Sequence, residues 1–383
     1  MSRAFAVLRR TRHFAYGVAA GFTAHGLYLV YSLRPDVNFT QSSSGRGSFN
    51  EVARAEGLFM SKINLSDFSN QIDLPLPYVM IQRVVVFATV TFCRAFLSYG
   101  GKFMVIRDDN YANFLDKILN RESDQGILTV SNHRSLFDDP PILSSLLPYE
   151  IAIQPKYLRW NVCAQEYCFS RKDITGIFAA YCGVGQVLPI WRGGGVDQKQ
   201  FLDFARHIAA GQWCHIFPEA GVYQLDIIGG RELSLKQNRG KGKLKWGVGK
   251  MIAHAPKPPV VIPFFHSGMH NVIPYDPVTR KSIDKLPFPR LGRHDVKVLF
   301  GQELFFDDLI DAHERKHGKL KRYTPSVVKT VEQNGKLVSV YDSSSDMQRY
   351  WISRDCDYEL YHKITLRIEA ALEGLNNSSK TLA

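Results

Sequence analysis

The 383-residue chain has no Cys-x-x-Cys pair, and its six cysteines (Cys93, Cys163, Cys168, Cys182, Cys214 and Cys356) keep no spacing suited to a zinc site. A chain of this length does not need disulfides to hold a core, so these read as reduced thiols, several of them buried. No GxSxG elbow occurs, which argues against a serine hydrolase of the α/β-hydrolase type. Neither a GxxxxGK[ST] loop nor a GxGxxG turn is present, so two common nucleotide-binding signatures are missing. Internal repeats are absent. Acids are missing from the start of the chain, where Arg3, Arg9, Arg10 and Arg12 all precede the first carboxylate, Asp36.

With 45% hydrophobic residues the chain can bury a sizeable core, which excludes wholesale disorder. Lys and Arg outnumber Asp and Glu by 48 to 36, a net charge of +12 that favours anionic partners: nucleic acid, phosphate-bearing substrates or an anionic membrane surface. Aromatic residues are not interleaved with the basic clusters, so no nucleic-acid partner is expected.

The arginine-bearing, acid-free start resembles a mitochondrial presequence. Residues 14–33 follow with no formal charge apart from a neutral His25, and as a helix they would reach about 30 Å, a bilayer core. Residues 1–35 are therefore expected to be a targeting sequence or a membrane anchor, and 36–75 a polar linker opening on a Ser/Gly-rich stretch. The next apolar run occupies 76–100. Arg83 and Arg94 bracket ten uncharged residues there. Ten helical residues rise only about 15 Å, so the spacing predicts a helix lying in the membrane interface, its arginines snorkelling to phosphates, or else a buried core helix.

Beyond residue 100 short apolar runs alternate with longer mixed segments. "GILTVS", "IAIQP", "GQVLPIW", "WCHIFP", "PVVIPFF" and "VKVLFG" read as buried strands, and "DQKQFLDFARHIAAG" as a crossover helix. This predicts an α/β fold over 101–310 with a mostly parallel sheet flanked by helices. Residues 311–350 read as a polar insertion with a possible hairpin turn at "NGK". Residues 351–383 read as a helix and tail, with Tyr361, Ile364, Ile368, Leu372 and Leu375 at helical spacing.

Four constellations can carry chemistry. In "SNHRSLFDDP", His133 and Asp138 stand five positions apart. On a regular helix that step leaves two side chains roughly 140° apart, so they can meet only in a loop. The acids and prolines of "DDPP" suit a helix start, and "GILTVS" would deliver His133 to the carboxyl edge of a sheet. An Asp on one ring nitrogen would leave the other free as a base; a structural His–Asp contact is the competing reading. In "IFPEAGVY", Glu219 leaves a strand, either to bind substrate hydroxyls or as a solvated turn residue. In "VLPIWRGGG", Arg192 enters a glycine run able to bring amides and a guanidinium to a phosphate. Residues 239–250 hold five cations and no acid, either a solvated basic face or a contact for phosphate or anionic lipid. "HSGMH", with His266 and His270, has helical ligand spacing but follows a strand, and no metal is expected there.

In order and together these elements resemble the glycerolipid acyltransferase superfamily. The HX4D block falls at His133 and Asp138, the arginine block at Arg192, the "FPEG" block at Phe217–Pro218–Glu219, and the proline-bracketed strand at residues 260–263. The second acid with its Pro140, and "KWGVGK", make the chain similar to the coenzyme-A-independent transacylase branch of that superfamily. The resemblance implies a mitochondrial, membrane-bound enzyme of the inner or outer membrane, facing the intermembrane space. It would move acyl chains between phospholipids and lysophospholipids and remodel cardiolipin with no cofactor. Cardiolipin, monolysocardiolipin, phosphatidylcholine and phosphatidylethanolamine are the implied substrates, and a homo-oligomer is compatible with it. His133 would be general base and Asp138 its orienter. Glu219 would position glycerol, Arg192 and Lys245 would hold phosphates, and the loops at Asn132 and Gly193 would supply amides. Ala220 departs from the family, which usually has glycine there, with Gly221 next in line to supply the turn. Residues 224–243 and 311–349 have no counterpart in the family pattern. The alternatives are an acyl-CoA-dependent lysophospholipid or glycerol-phosphate acyltransferase, and a non-enzymatic lipid-binding membrane protein.

Overall fold

The computed structural model describes residues 76–99, 101–122, 124–169, 177–191, 194–224, 244–272, 274, 295–323, 328–333, 336–341 and 351–381. Residues 1–35 and the linker lie outside them, as do Arg192 and Gly193.

A five-stranded sheet runs in the order β1-β7-β6-β2-β5, with β1 at Phe103–Val105, β2 at Ile127–Ser131, β5 at Trp213–Ile216, β6 at Val260–Ser267 and β7 at Val296–Phe300. Strand β2 pairs parallel with β5 and β6, and β1 parallel with β7; only β6 and β7 run antiparallel. All five residues of β2 are buried. A strand covered on both faces must be apolar throughout, as "ILTVS" nearly is. A second parallel pair, β3 (Asn161–Ala164) and β4 (Val187–Ile190), abuts the main sheet through a bridge between Trp160 and Cys214. Strands β8 (Val328–Gln333) and β9 (Lys336–Tyr341) form a separate antiparallel pair. The sheet is thus mostly parallel and flanked by helices, an α/β architecture.

The long helix α1 spans Leu76–Tyr99, and by length and composition its stretch Val79–Ser98 is sufficient to cross a membrane. One face is packed on protein. Val86, Val90, Cys93 and Leu97 recur at helical spacing and are buried, whereas Met80, Val84, Phe87 and Phe92 are exposed. Arg83 is exposed. Arg94 instead turns inward, donating to the Leu147 carbonyl with its guanidinium 5.5 Å from the Tyr149 ring centroid.

Helix α2 (Asp109–Asn120) is capped by Asp108, which accepts from the Tyr111 amide at 3.0 Å. Helices α3 (Pro141–Ser145) and α4 (Tyr149–Ala152) follow β2. The segment "IAIQP" is therefore not a strand: α4 and a 3₁₀ turn at Pro155–Tyr157 take its place. A short apolar run has no period to separate strand from helix, and Pro148 sits where a helix begins. Helices α5 (Gln165–Cys168), α6 (Ile177–Val184), α7 (Lys199–Ala209), α8 (Gly247–Ala253), α9 (Met269–Val272) and α10 (Asp307–His317) lead to α11 (Asp357–Thr381). On α11, Tyr361, Ile364, Ile368 and Leu372 are wholly buried. Gly249 lets α8 lie against α11, since a Cβ there would meet the Tyr361 carbonyl oxygen at 2.2 Å.

The cysteines differ from expectation. Cys163 and Cys168 form a disulfide, closed because α5 turns the chain back on β3, while Cys93, Cys182, Cys214 and Cys356 are not disulfide-bonded. The basic run also differs at its end. Lys250 is buried, with Nζ 2.8 Å from Asp197 and 4.6 Å from the Trp351 ring centroid, so it is neither a solvated cation nor a lipid contact.

Candidate active site

Strand β2 ends at Ser131, and the chain leaves the carboxyl edge of the sheet as a turn running to α3. In that turn His133 Nδ1 lies 2.9 Å from Asp138 Oδ2. The same oxygen accepts the amide N–H groups of Arg134 at 2.7 Å and Ser135 at 2.9 Å. The Asp138 amide in turn donates to the Ser135 carbonyl at 3.2 Å. The five-residue interval thus closes a compact loop around one carboxylate oxygen.

Asp138 is wholly buried. Burial alone would raise its pKa, but the nearby histidines His266 and His133 and the Ser135 amide together hold it below the usual carboxylate range. An ionised Asp138 accepts the Nδ1–H of His133 and leaves its Nε2 with a lone pair. The His133 side chain is 18% exposed, enough to meet a reactant from one side.

His133 is held from three further directions, one on its ring and two on its backbone. Phe217, one residue past β5, stacks on it at 4.1 Å between centroids and 14° between planes. The Glu219 carboxylate accepts the His133 amide N–H at 2.8 Å. The Tyr223 amide donates to the His133 carbonyl at 2.9 Å. Glu219 is buried, and this contact turns it toward the loop that carries His133. Lys245 is exposed, and its backbone N–H bonds the Pro218 carbonyl at 2.9 Å, so the basic segment starts against the "FPE" turn.

Asn132 is fully buried and committed to β6: its side chain donates to the His266 carbonyl and accepts the His266 amide, each at 2.9 Å. The structure therefore brings together Asn132, His133, Asp138, Phe217, Pro218, Glu219 and Lys245. Arg83 and Arg94 sit on α1.

Two groups escaped the sequence reading. His266 reaches the same carboxylate, its Nε2 3.5 Å from Asp138 Oδ2 and 2.9 Å from the Asn132 carbonyl. A carbonyl only accepts, so Nε2 carries the proton, and burial keeps the ring's pKa below its ordinary value. Asp139 is the second: it pairs with Arg159 and accepts from Asn161 Nδ2 at 2.5 Å, tying the turn to the start of β3. The doubled acid of "DDPP" was its only signal, and its partners lie 20 and 22 residues away. Ala220 has φ +53°, in the left-handed region, whereas Gly221 does not carry the positive φ of this turn. The strained position is the one where the family usually has glycine.

Among the described residues one group could place three metal-ligating atoms together, His313, Cys356 and Asp357. The Arg354 guanidinium occupies it, with contacts of 2.8 and 3.1 Å to Asp357 Oδ1, and its charge opposes a cation.

Residues 115–267 match the family model described as Acyltransferase. Over 226 residues the chain is 28% identical to an N-acylphosphatidylethanolamine synthase of Arabidopsis thaliana, covering 59% of this chain and 71% of that protein. It is 31% identical over 197 residues to tafazzin of Drosophila melanogaster, covering 51% and 47% of the two chains, and 28% identical over 238 residues to tafazzin of Saccharomyces cerevisiae, covering 54% and 58%. The match spans about half of each of these tafazzins. The His133–Asp138 pair lies inside the matched segment, at the edge of the α/β sheet, and the match supports an acyltransferase. More narrowly, the similarity to the two tafazzins supports a tafazzin-like glycerolipid acyltransferase.

Proposed function

We propose that the protein is a coenzyme-A-independent phospholipid–lysophospholipid transacylase that remodels cardiolipin acyl chains at a mitochondrial membrane, on the face toward the intermembrane space. The observation that supports it most is the contact between His133 Nδ1 and Asp138 Oδ2, which leaves Nε2 with a lone pair on a ring that is 18% exposed.

His133 Nε2 takes the proton from the free glycerol hydroxyl of a lysophospholipid as that oxygen adds to the ester carbonyl of a donor phospholipid. The tetrahedral adduct collapses by breaking the old ester bond. The departing lysolipid alkoxide takes back the proton from Nε2, so one acyl group has moved and the protein is unchanged. Asp138 stabilises the transient imidazolium, and Phe217 keeps the ring from tilting away. Arg192 and Lys245 hold phosphate groups of the two lipids in this reading. Glu219, which accepts the His133 amide through one oxygen, positions the glycerol part in this reading.

The test is direct. Purified full-length protein, supplied with labelled diacylphospholipid and lysocardiolipin but no acyl-CoA, is expected to transfer label. Transfer that starts only on addition of acyl-CoA would overturn the reading.

A further inference from the structure

A cavity of about 440 Å³, within the roughly 300–1,000 Å³ of small-ligand pockets, opens where the end of α1 meets β1, α2 and the chain after α3. Two guanidinium groups line it, Arg94 and Arg107, and no acid does. Arg107 is exposed. Arg94 is partly spent on the Leu147 carbonyl, but its Nε is buried without a hydrogen-bond partner. Ser145, 7% exposed, also lines the cavity, and its Oγ has no partner either. The remaining walls are largely apolar, with Leu97, Phe103 and Leu147 among them. Glu150 is the acid whose charge reaches Arg94, and it is not among the lining residues.

Two cations, an unsatisfied buried hydroxyl and apolar walls match an amphiphile with an anionic head. We propose that this cavity binds the phosphate of a glycerophospholipid between Arg94 and Arg107, with Ser145 donating to a phosphate oxygen and the apolar walls taking the first carbons of an acyl chain. The site is separate in sequence from Arg192 and Lys245. A lipid fits better than a free phosphate, because the helix that ends at the cavity exposes Met80, Val84, Phe87 and Phe92 along its length. Phe96, in the last turns of that helix, meets Phe137 edge-on at 5.5 Å, one residue before Asp138. A lipid seated here would therefore lie beside the candidate active loop. The proposal rests on the protein handling phospholipids, as argued above.

The probe is a short-chain phosphatidylglycerol kept monomeric, titrated calorimetrically into full-length His133→Ala protein so that no turnover consumes it. Saturable binding is expected. Arg107→Gln, at an exposed position, should weaken it at least about fivefold, the scale of one charge-assisted hydrogen bond, and Ser145→Leu should abolish it by filling the cavity. Glycerol 3-phosphate, which has the charge but no chain, should compete poorly. Unchanged binding in both variants would overturn the proposal, and so would competition by inorganic phosphate as strong as that of the lipid. Transfer of label by the unsubstituted protein is scored separately, so failure here leaves the reaction itself standing or falling on its own test.

Discussion

At the scale of single residues, the turn around Asp138 assigns separate duties to neighbouring side chains. His133→Ala removes the base and should lower acyl transfer at least about 10²-fold while leaving membrane binding and the unfolding midpoint near those of the parent. Asp139 anchors the turn through Arg159 and Asn161. Asp139→Asn leaves the Arg159 charge buried and unmatched, a loss of about 3 kcal/mol in urea unfolding, with a slower turnover as the loop loosens. Ala220 offers the opposite case. Holding an alanine at φ +53° costs about 1 kcal/mol, so Ala220→Gly should raise the unfolding free energy by about that amount without changing turnover. The dyad was legible in the sequence because its spacing is wrong for a helix and right for a turn. His266 was not, because it follows His133 by 133 positions and only the pairing of β2 with β6 joins them.

At the scale of elements, period was a good guide where elements are long and a poor one where they are short. The closing helix and the crossover helix α7 show their apolar faces plainly; β2, β4, β5 and β7 fall within the runs read as strands, and β6 extends two residues past its run. Three-residue β1 and four-residue β3 leave too little pattern to read, and "IAIQP" is apolar in the same way whether helical or extended. Helix α1 combines a packed face with an exposed apolar one, a division no window average reveals. Its exposed face carries a prediction. Phe87→Asp should leave the protein folded, within about 0.5 kcal/mol of the parent, because Phe87 is 49% exposed. The same change should weaken flotation with phospholipid vesicles at least about tenfold, since a phenyl group no longer leaves water.

At the scale of the whole molecule, several histidines are buried where they cannot readily be charged. His254 sits between the Lys321 carbonyl and the Tyr361 hydroxyl, and burial pulls its pKa from 6.5 down to about 4. His215 and His266 are lowered in the same direction by burial. The unfolded chain binds protons on these rings below about pH 6.5 that the folded chain refuses. Stability present above that pH is therefore lost as pH falls toward 4, by roughly 3 kcal/mol for His254 alone. Urea midpoints followed from pH 7.5 to 4.5 should fall steadily, and His254→Gln should flatten the slope. Asp138, with its lowered pKa, keeps its contribution over this whole window and yields it only at still lower pH.

The contact between His133 and Asp138 spans only five residues, while Glu219 and Tyr223 grip the same loop from 86 and 90 positions further along the chain. Closing five residues costs little chain entropy, so the pairing is a local event; closing eighty or more requires β2 and β5 to be already side by side. The His133–Asp138 pair and its restraint therefore belong to different stages of folding. A lesion in the turn after β5 would leave the histidine with its carboxylate and yet without a fixed heading, so loss of activity in such variants would report lost aim, not lost chemistry.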